Sequence, residues 1–508
     1  MIFKHIFISL LVLSILIPTY LTLDNPALLP VTLGIWIVNV VGFLLFLNVV
    51  LTYLSYRERR PRIIRFRRGY RIAAVVTAFN EDPEIVEETL ESVKVAVEEY
   101  GYGDVYLLDD SRDPELAGEY DKICIRLGVR HVRRDSNRGF KAGNLNNFLR
   151  RYGFKYDLMA VFDADQRPTK DFFTQLIPYF DDDVGYVYTP QAYSILDSAV
   201  AVGAASQQKP FYYLILPGFT DHSRFSIGSG VIYRVDVLMK VGGFEEGNVC
   251  EDVATSIKIN ELGYRGVYVD APLVYYGIPP RDVLSYVRQQ GRWSLGFFQL
   301  LGDILGRRLD LKSFIHYLSG YLYWLRVGLL RNIEALTPII FVLTGESFIK
   351  MDPLTYIATY IPYFFSSIAI FILISRWVVG YGLKDFIYHQ GVENLAFWEV
   401  TKSFFKSIFH RRHVFTVTSK RKVDRGIKGL APHFILITLL FIGLEVGMYR
   451  ILFTPLGQEM LYAYIVNVFW IAYLLMFQVS GILLVGRDYE PRFVIPALTR
   501  VGTSLEAG

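Results

Sequence analysis

At 508 residues, with 52% hydrophobic, 15% aromatic and only 20% charged residues, the chain is too apolar for an ordinary soluble enzyme. Its formal charge of +4 says little alone, because the basic residues are unevenly placed, and no nucleic-acid partner is expected. Two cysteines, Cys124 and Cys250, are too few for a disulfide framework and lack the spacing of a metal site.

The chain opens on two apolar runs, 5–23 and 30–54, each long enough to span a bilayer. Lys4 with the run behind it has the start of a secretory signal. "IPTYLTLDNP" then offers no small-x-small cleavage site, so the helix is expected to be retained. "RERRPRIIRFRRGYR" follows as a solvated or headgroup-facing flank. From about 70 to 300 strands and helices alternate. "IAAVVTA" reads as a buried strand, and "FNEDPE" supplies Asp82 as a helix cap and Pro83 for the first turn. A helix from Glu84 to the glycine stop follows. Then come "DVYLLDD" as strand, "PELAGEYDKICIRLG" as helix, "VRHV" as strand, "KAGNLNNFLRRYG" as helix, "DLMAVFDAD" as strand, "TKDFFTQLIPYF" as helix and "VGYVYTP" as strand. This alternation predicts a parallel sheet, which binds ligands beyond the carboxyl ends of its strands. Polar clusters fall at those ends: 77–81, 109–111, 163–165 and 189–191.

Four further apolar spans are predicted at 314–344, 355–379, 430–452 and 461–485. The basic runs 57–71 and 410–428 border the same side, while "LDNPALLP", "TGESFIKMDP" and "RILFTPLGQE" carry almost no positive charge. The positive-inside rule therefore predicts a multi-pass protein of the cell membrane with both termini and 57–313 cytoplasmic. The expected organisation is two membrane helices in 1–56, a cytosolic α/β domain with interface helices in 57–313, and two membrane helices in 314–379. A cytosolic interface segment follows in 380–429, then two membrane helices in 430–486 and a short cytosolic tail in 487–508.

"FDADQRP" puts Asp163 and Asp165 two apart at a strand end, hence on one face. Two carboxylates sharing a face repel unless a cation sits between them. Few, hard oxygen ligands suit Mg²⁺ or Mn²⁺ completed by phosphate and water. A solvated turn fits the same two acids equally well. Asp109 and Asp110 could accept hydrogen bonds from a base or ribose, or simply form a turn. "RRDSNRGFKAGNLN" offers Lys141 and two glycines at a helix N-terminus, a good anion site. No phosphate-loop or dinucleotide fingerprint is present, which disfavours ATP hydrolysis and hydride transfer. Glu251-Asp252 opens a helical pattern. Asp252 is either a cap or a general base that deprotonates an acceptor hydroxyl as a phosphorylated group leaves. No covalent nucleophile stands out, so direct displacement with inversion is the simpler mechanism.

"FDADQRP", "TPQAY", "IGSGVIYR", "VGGFEEGNVCEDVATSIKINELGYRGVYVD" and "QQGRW" together resemble the membrane-embedded family-2 glycosyltransferases. The cellulose synthase catalytic subunits are nearest, with the hyaluronan, mannan and glucomannan synthases beside them. The resemblance covers roughly 70–430, and "FTVTSK" resembles the F-x-V-T-x-K gating loop. It implies a GT-A fold inserted in a bundle of about six membrane helices. It implies a UDP-sugar donor with Mg²⁺ or Mn²⁺, and a polymer leaving through a channel. By the same resemblance Thr77, Glu81, Asp109 and Asp110 hold the uridine part, and Lys141, Arg292, Thr418 and Lys420 the nucleotide and diphosphate. Asp163 and Asp165 manage the metal, and Asp252, with Glu251 beside it, is the base. Gln289, Gln290 and Trp293, with Gln191, Gly228 and Ser229, face the acceptor. The T-E-D of the cellulose synthases reads Cys250-Glu251-Asp252 here, and the F-C-G-S motif reads Ser226-Ile227-Gly228-Ser229, which leaves the product open.

In the third span Arg326, Arg331 and Glu334 are costly in hydrocarbon. They are expected to face a cavity for which Tyr321, Tyr323 and Trp324 are available as aromatic lining; the alternatives are snorkelling for Arg326 and a mutual ion pair for Arg331 and Glu334. The leading expectation is a processive, inverting transferase that extends a β-linked polysaccharide and translocates it, with separate export subunits possible. Alternatives are a single-sugar transferase onto a lipid-linked acceptor and a nucleotide-sugar-sensing transporter or scaffold.

Overall fold

The computed structural model describes residues 2–58, 69–409 and 429–493. Between its membrane helices lies an α/β domain built on seven strands: β1 (Ile72–Ala78), β2 (Gly103–Asp109), β3 (Arg130–Arg133), β4 (Leu158–Asp163), β5 (Val184–Tyr188), β6 (Val231–Arg234) and β7 (Arg265–Tyr268). Their order across the sheet is β3-β2-β1-β4-β6-β5-β7. Central β1 is apolar along nearly its whole length because helices cover both of its faces and leave no side for solvent. The crossover helices start where local chemistry starts them. Asp82 caps Pro83–Tyr100 and Asp113 caps Pro114–Leu127, and each helix stops on a left-handed glycine, Gly101 or Gly128.

Register decides what the sheet presents. Ala78 pairs with Asp109, Thr77 with Asp163, and Asp109 with Arg133, so the parallel strands β1, β2, β3 and β4 finish at one level. The sequence predicts parallel strands throughout, but β6, unforeseen there, runs antiparallel to both β4 and β5. Its consequence is local. A strand running the other way delivers its preceding turn, Ser226–Gly230, to the same lip, where Gly230 N donates to Val161 O at 2.9 Å.

Among the described residues six helices are long and apolar enough to cross a membrane, and they lie within a few residues of the six predicted spans. They are Ile2–Thr22, Leu29–Glu58, the broken Leu311–Thr344, Pro353–Val379, Ala431–Phe453 and Gln458–Leu484. The break is a wide π turn at Arg326–Leu330. Three more helical segments join domain to bundle: Ala199–Gly218, itself widened at Phe211–Ile215, Val283–Gln299 and Leu383–Ile408. Glycine lets them meet. A Cβ at Gly218 would lie 2.3 Å from Thr52 O, so only hydrogen fits between the domain and the second membrane helix. After the sixth membrane helix, Asp488–Phe493 returns as a strand and pairs antiparallel with Ile195–Ser198.

Candidate active site

A cavity of about 750 Å³ begins at the lip of the sheet and continues among the membrane helices. At the sheet end it is lined by Thr77, Glu81, Asp110, Lys141, Asp163 and Asp165. Further in come Gln191, Gly228, Glu251, Asp252, Gln289, Gln290, Arg292 and Trp293, and among the membrane helices Tyr323, Arg326, Arg331, Glu334 and Tyr360.

Lys141 sits in the first turn of Phe140–Tyr152, whose entry needs left-handed backbone at Gly139 (φ 71°) and Phe140 (φ 48°). Its ammonium donates to Asp163 Oδ1 at 2.5 Å and to Gly228 O at 2.8 Å, with Glu251 4.0 Å away. Burial disfavours that charge, but Asp163 and Glu251 outweigh it and hold the ammonium above its ordinary pKa. Asp165 is buried, and Ile278 N donates to its Oδ2 at 3.1 Å. Asp163 keeps 42% of its side chain exposed.

Asp252 is not a cap. Cys250 holds that position and Asp252 lies in the first turn of Glu251–Glu261, accepting from Val253 N at 2.8 Å. Burial, reinforced by the adjacent Glu251, raises the Asp252 carboxyl to about 7. Glu251 is also raised, by burial, against the pull of Lys141. A carboxylate titrating near neutrality is matched to taking a proton from a hydroxyl. Gly228 opens the approach to it: in left-handed backbone (φ 77°), its absent Cβ would lie 3.0 Å from Asp252 Oδ2.

Gln289, Gln290, Arg292 and Trp293 share one helix, Val283–Gln299, and all line the cavity. Three residues named from the sequence do not line it: Asp109, Ser229 and Tyr321, whose ring meets Phe298 edge-on instead. Asp109 is turned into protein, accepting from Ser111 N at 2.7 Å and Arg133 Nε at 3.1 Å with His131 Nε2 3.3 Å away. Burial opposes its charge, yet His131 and Ser111 hold the carboxyl below its ordinary pKa. Ser229 is fully buried and its hydroxyl accepts from Asp163 N at 2.9 Å, so it shapes the turn. Asp110 reaches the cavity already gripped by both arms of Arg134, at 2.6 Å each. Thr418 and Lys420 lie outside the described residues.

The structure adds a polar group that sequence reasoning missed. Gln207 Nε2 donates to Tyr323 OH at 3.0 Å, Tyr286 OH to Gln207 Oε1 at 2.8 Å, and Gln208 Nε2 to Tyr193 OH at 2.9 Å. Beyond it Arg326 forks onto Glu334 at 2.6 and 2.8 Å, Arg331 reaches Glu334 at 3.2 Å, and Arg331 lies 3.8 Å from Glu393, which accepts from Tyr323 OH at 2.8 Å. Arg326 therefore pairs rather than snorkels. The π turn makes this possible: residues eight apart on an α-helix sit about 80° apart, and one extra residue in the turn brings them onto a single face.

Residues 70–296 match the model of the glycosyltransferase-like family 2. That stretch is a domain similar to the family-2 glycosyltransferases. Over 405 residues, 76% of its length, the chain is 28% identical to cellulose synthase 1 of Komagataeibacter xylinus. Over 407 residues it is 25% identical to the UDP-forming cellulose synthase catalytic subunit of Pseudomonas fluorescens. The aligned part spans 25% and 53% of those relatives' lengths. A mannosyltransferase from Pyrobaculum calidifontis, solved in complex with GDP-Man and Mn²⁺, superimposes with a TM-score of 0.51 at 16% identity, covering 74% of this chain and 99% of that one. The fold of the glycosyltransferase domain is thus GT-A-like, carried with six apolar helices. Among the described residues no group of three or more His, Cys, Asp or Glu could hold a metal. The pair Asp163 and Asp165 fits a hard ion that takes the rest of its shell from phosphate and water.

Proposed function

We propose that this glycosyltransferase domain transfers a hexose from a UDP-activated donor, with inversion, to the end of a growing β-linked polysaccharide, and that the polymer leaves along the cavity. The observation that carries the reading is the continuity of one cavity from Asp163 and Asp252 to Arg326, Glu334 and Tyr360 among the membrane helices. A transferase that released its product at the sheet has no use for a passage of that extent.

Thr77, Glu81 and Asp110 would receive the nucleoside, and Lys141 and Arg292 the diphosphate, a reading supported by their lining one cavity. Asp163 and Asp165 would hold Mg²⁺ or Mn²⁺, which supplies positive charge against the departing diphosphate. Trp293 offers an indole face to the terminal sugar, and Gln289, Gln290 and Gln191 offer amides to its hydroxyls. Asp252 takes the hydroxyl proton as the new glycosidic bond forms and the bond to the diphosphate breaks. The basic flanks put this chemistry on the cytoplasmic side of the cell membrane. Export subunits beyond it would receive the chain.

The test is a donor screen. Purified protein in lipid nanodiscs, given labelled UDP-hexoses with Mg²⁺ or Mn²⁺, is expected to make a long product that one linkage-specific glycosidase degrades. A single sugar on extracted lipid refutes processive synthesis in favour of a lipid-linked acceptor, and no transfer from any donor refutes the enzyme.

A further inference from the structure

The departure at Cys250 has a structural counterpart. The residues just before the base-bearing helix Glu251–Glu261 are fastened to the last turns of the helix that carries Trp293. Cys250 Sγ donates to Trp293 O at 3.6 Å, and Asn248 Nδ2 to Gly296 O at 3.2 Å. Val249 N donates to Gln299 Oε1 at 3.4 Å. Asn248 closes the group on itself, its Oδ1 accepting from Cys250 N at 2.7 Å. The approach is as close as backbone allows: a Cβ on Gly296 would stand 2.3 Å from Cys250 Sγ, 2.8 Å from its Cβ and 2.9 Å from its N. Only glycine fits.

We propose that Asn248 and Cys250 are positioning residues, a clasp that fixes the separation between the Asp252 carboxylate and the acceptor face of Trp293. The inference rests on the proposed roles of Asp252 and Trp293. Two side chains on different elements must hold one hydroxyl and one sugar ring in register. A base two residues past the clasp and a tryptophan whose backbone carbonyl is gripped move together only while the clasp holds. Neither clasp residue needs to touch substrate. Misplacement of reacting groups by an ångström lowers turnover far more than it lowers binding.

The test uses the full chain in nanodiscs, with UDP as the binding probe and UDP-glucose, or whichever UDP-hexose the donor screen selects, as donor. Cys250→Ala and Asn248→Ala are each expected to bind UDP as the parent does, keep the donor KM, and lose about fivefold to tenfold in kcat, the double variant losing more. Cys250→Ser, which restores a donor on a shorter bond, is expected to recover most of the loss. UDP binding also reports that each variant is folded. Unchanged kcat in the double variant overturns the clasp, and so does a fall in kcat matched by an equal loss of UDP affinity. Parent protein that binds no UDP overturns instead the reading on which the clasp rests.

Discussion

A base poised by burial and by a neighbouring carboxylate has a measurable signature. Asp252 is raised to about 7, first by burial and then by Glu251. The acid form is inactive as a base, so kcat/KM is expected to climb with pH through that value. The ionised fraction goes from about one-eleventh at pH 6 to about ten-elevenths at pH 8, about a tenfold rise in rate. Removing the neighbour's charge tests the cause. Glu251→Gln deletes the second contribution and leaves burial, so the acid limb moves to lower pH while a displaced limb above the ordinary carboxylate range remains. The assay is the initial rate of labelled hexose transfer at donor well below KM, across about pH 5.5 to 9, which reports groups of the free enzyme. An acid limb at or below pH 5 in the parent refutes the desolvation argument, and a limb that stays put in Glu251→Gln refutes the assignment to Asp252.

Asp252→Asn is expected to abolish transfer, by about 10³-fold or more, while UDP still binds; retained transfer removes Asp252 from the mechanism. Chelation of divalent ions is expected to stop transfer, and Asp163→Ala or Asp165→Ala to leave it unresponsive to added Mg²⁺ or Mn²⁺; activity indifferent to chelator refutes the metal assignment. Glu334→Leu leaves Arg326 and Arg331 short of their shared partner, and a loss of about 3–5 kcal/mol is expected, read as a lower unfolding temperature. Restoring balance with Arg326→Met in the same chain is expected to recover part of that loss.

What the sequence carried well were features written in consecutive residues. Apolar runs long enough for a bilayer, the cap and proline at Asp82-Pro83, and paired acids at strand ends all depend on spacings of a few positions, and the helices and strands follow them closely. What it carried poorly depends on partners far along the chain. Asp109 reads like Asp163, both acids closing a buried strand, yet His131 and Arg133 on the neighbouring edge strand claim it. The antiparallel β6 is only four residues, and its direction is settled by β4 and β5 on either side. Gln207 and Gln208 repeat the amide pair of Gln289 and Gln290, a signal that could have been noticed. The place of Gln207 beside Tyr323 could not, because it comes from packing two helical segments whose contacting residues lie 116 positions apart.

The returning strand Asp488–Phe493 makes the sixth membrane helix and the loop bearing Gln191 and Tyr193 parts of one lever. Asp488 lies opposite Ser198, Ala199 N donates to Arg487 O at 2.9 Å, and Tyr489 OH meets Tyr388 OH at 2.6 Å. A tilt of that helix is therefore transmitted through the paired strand to the loop that carries Gln191 and Tyr193.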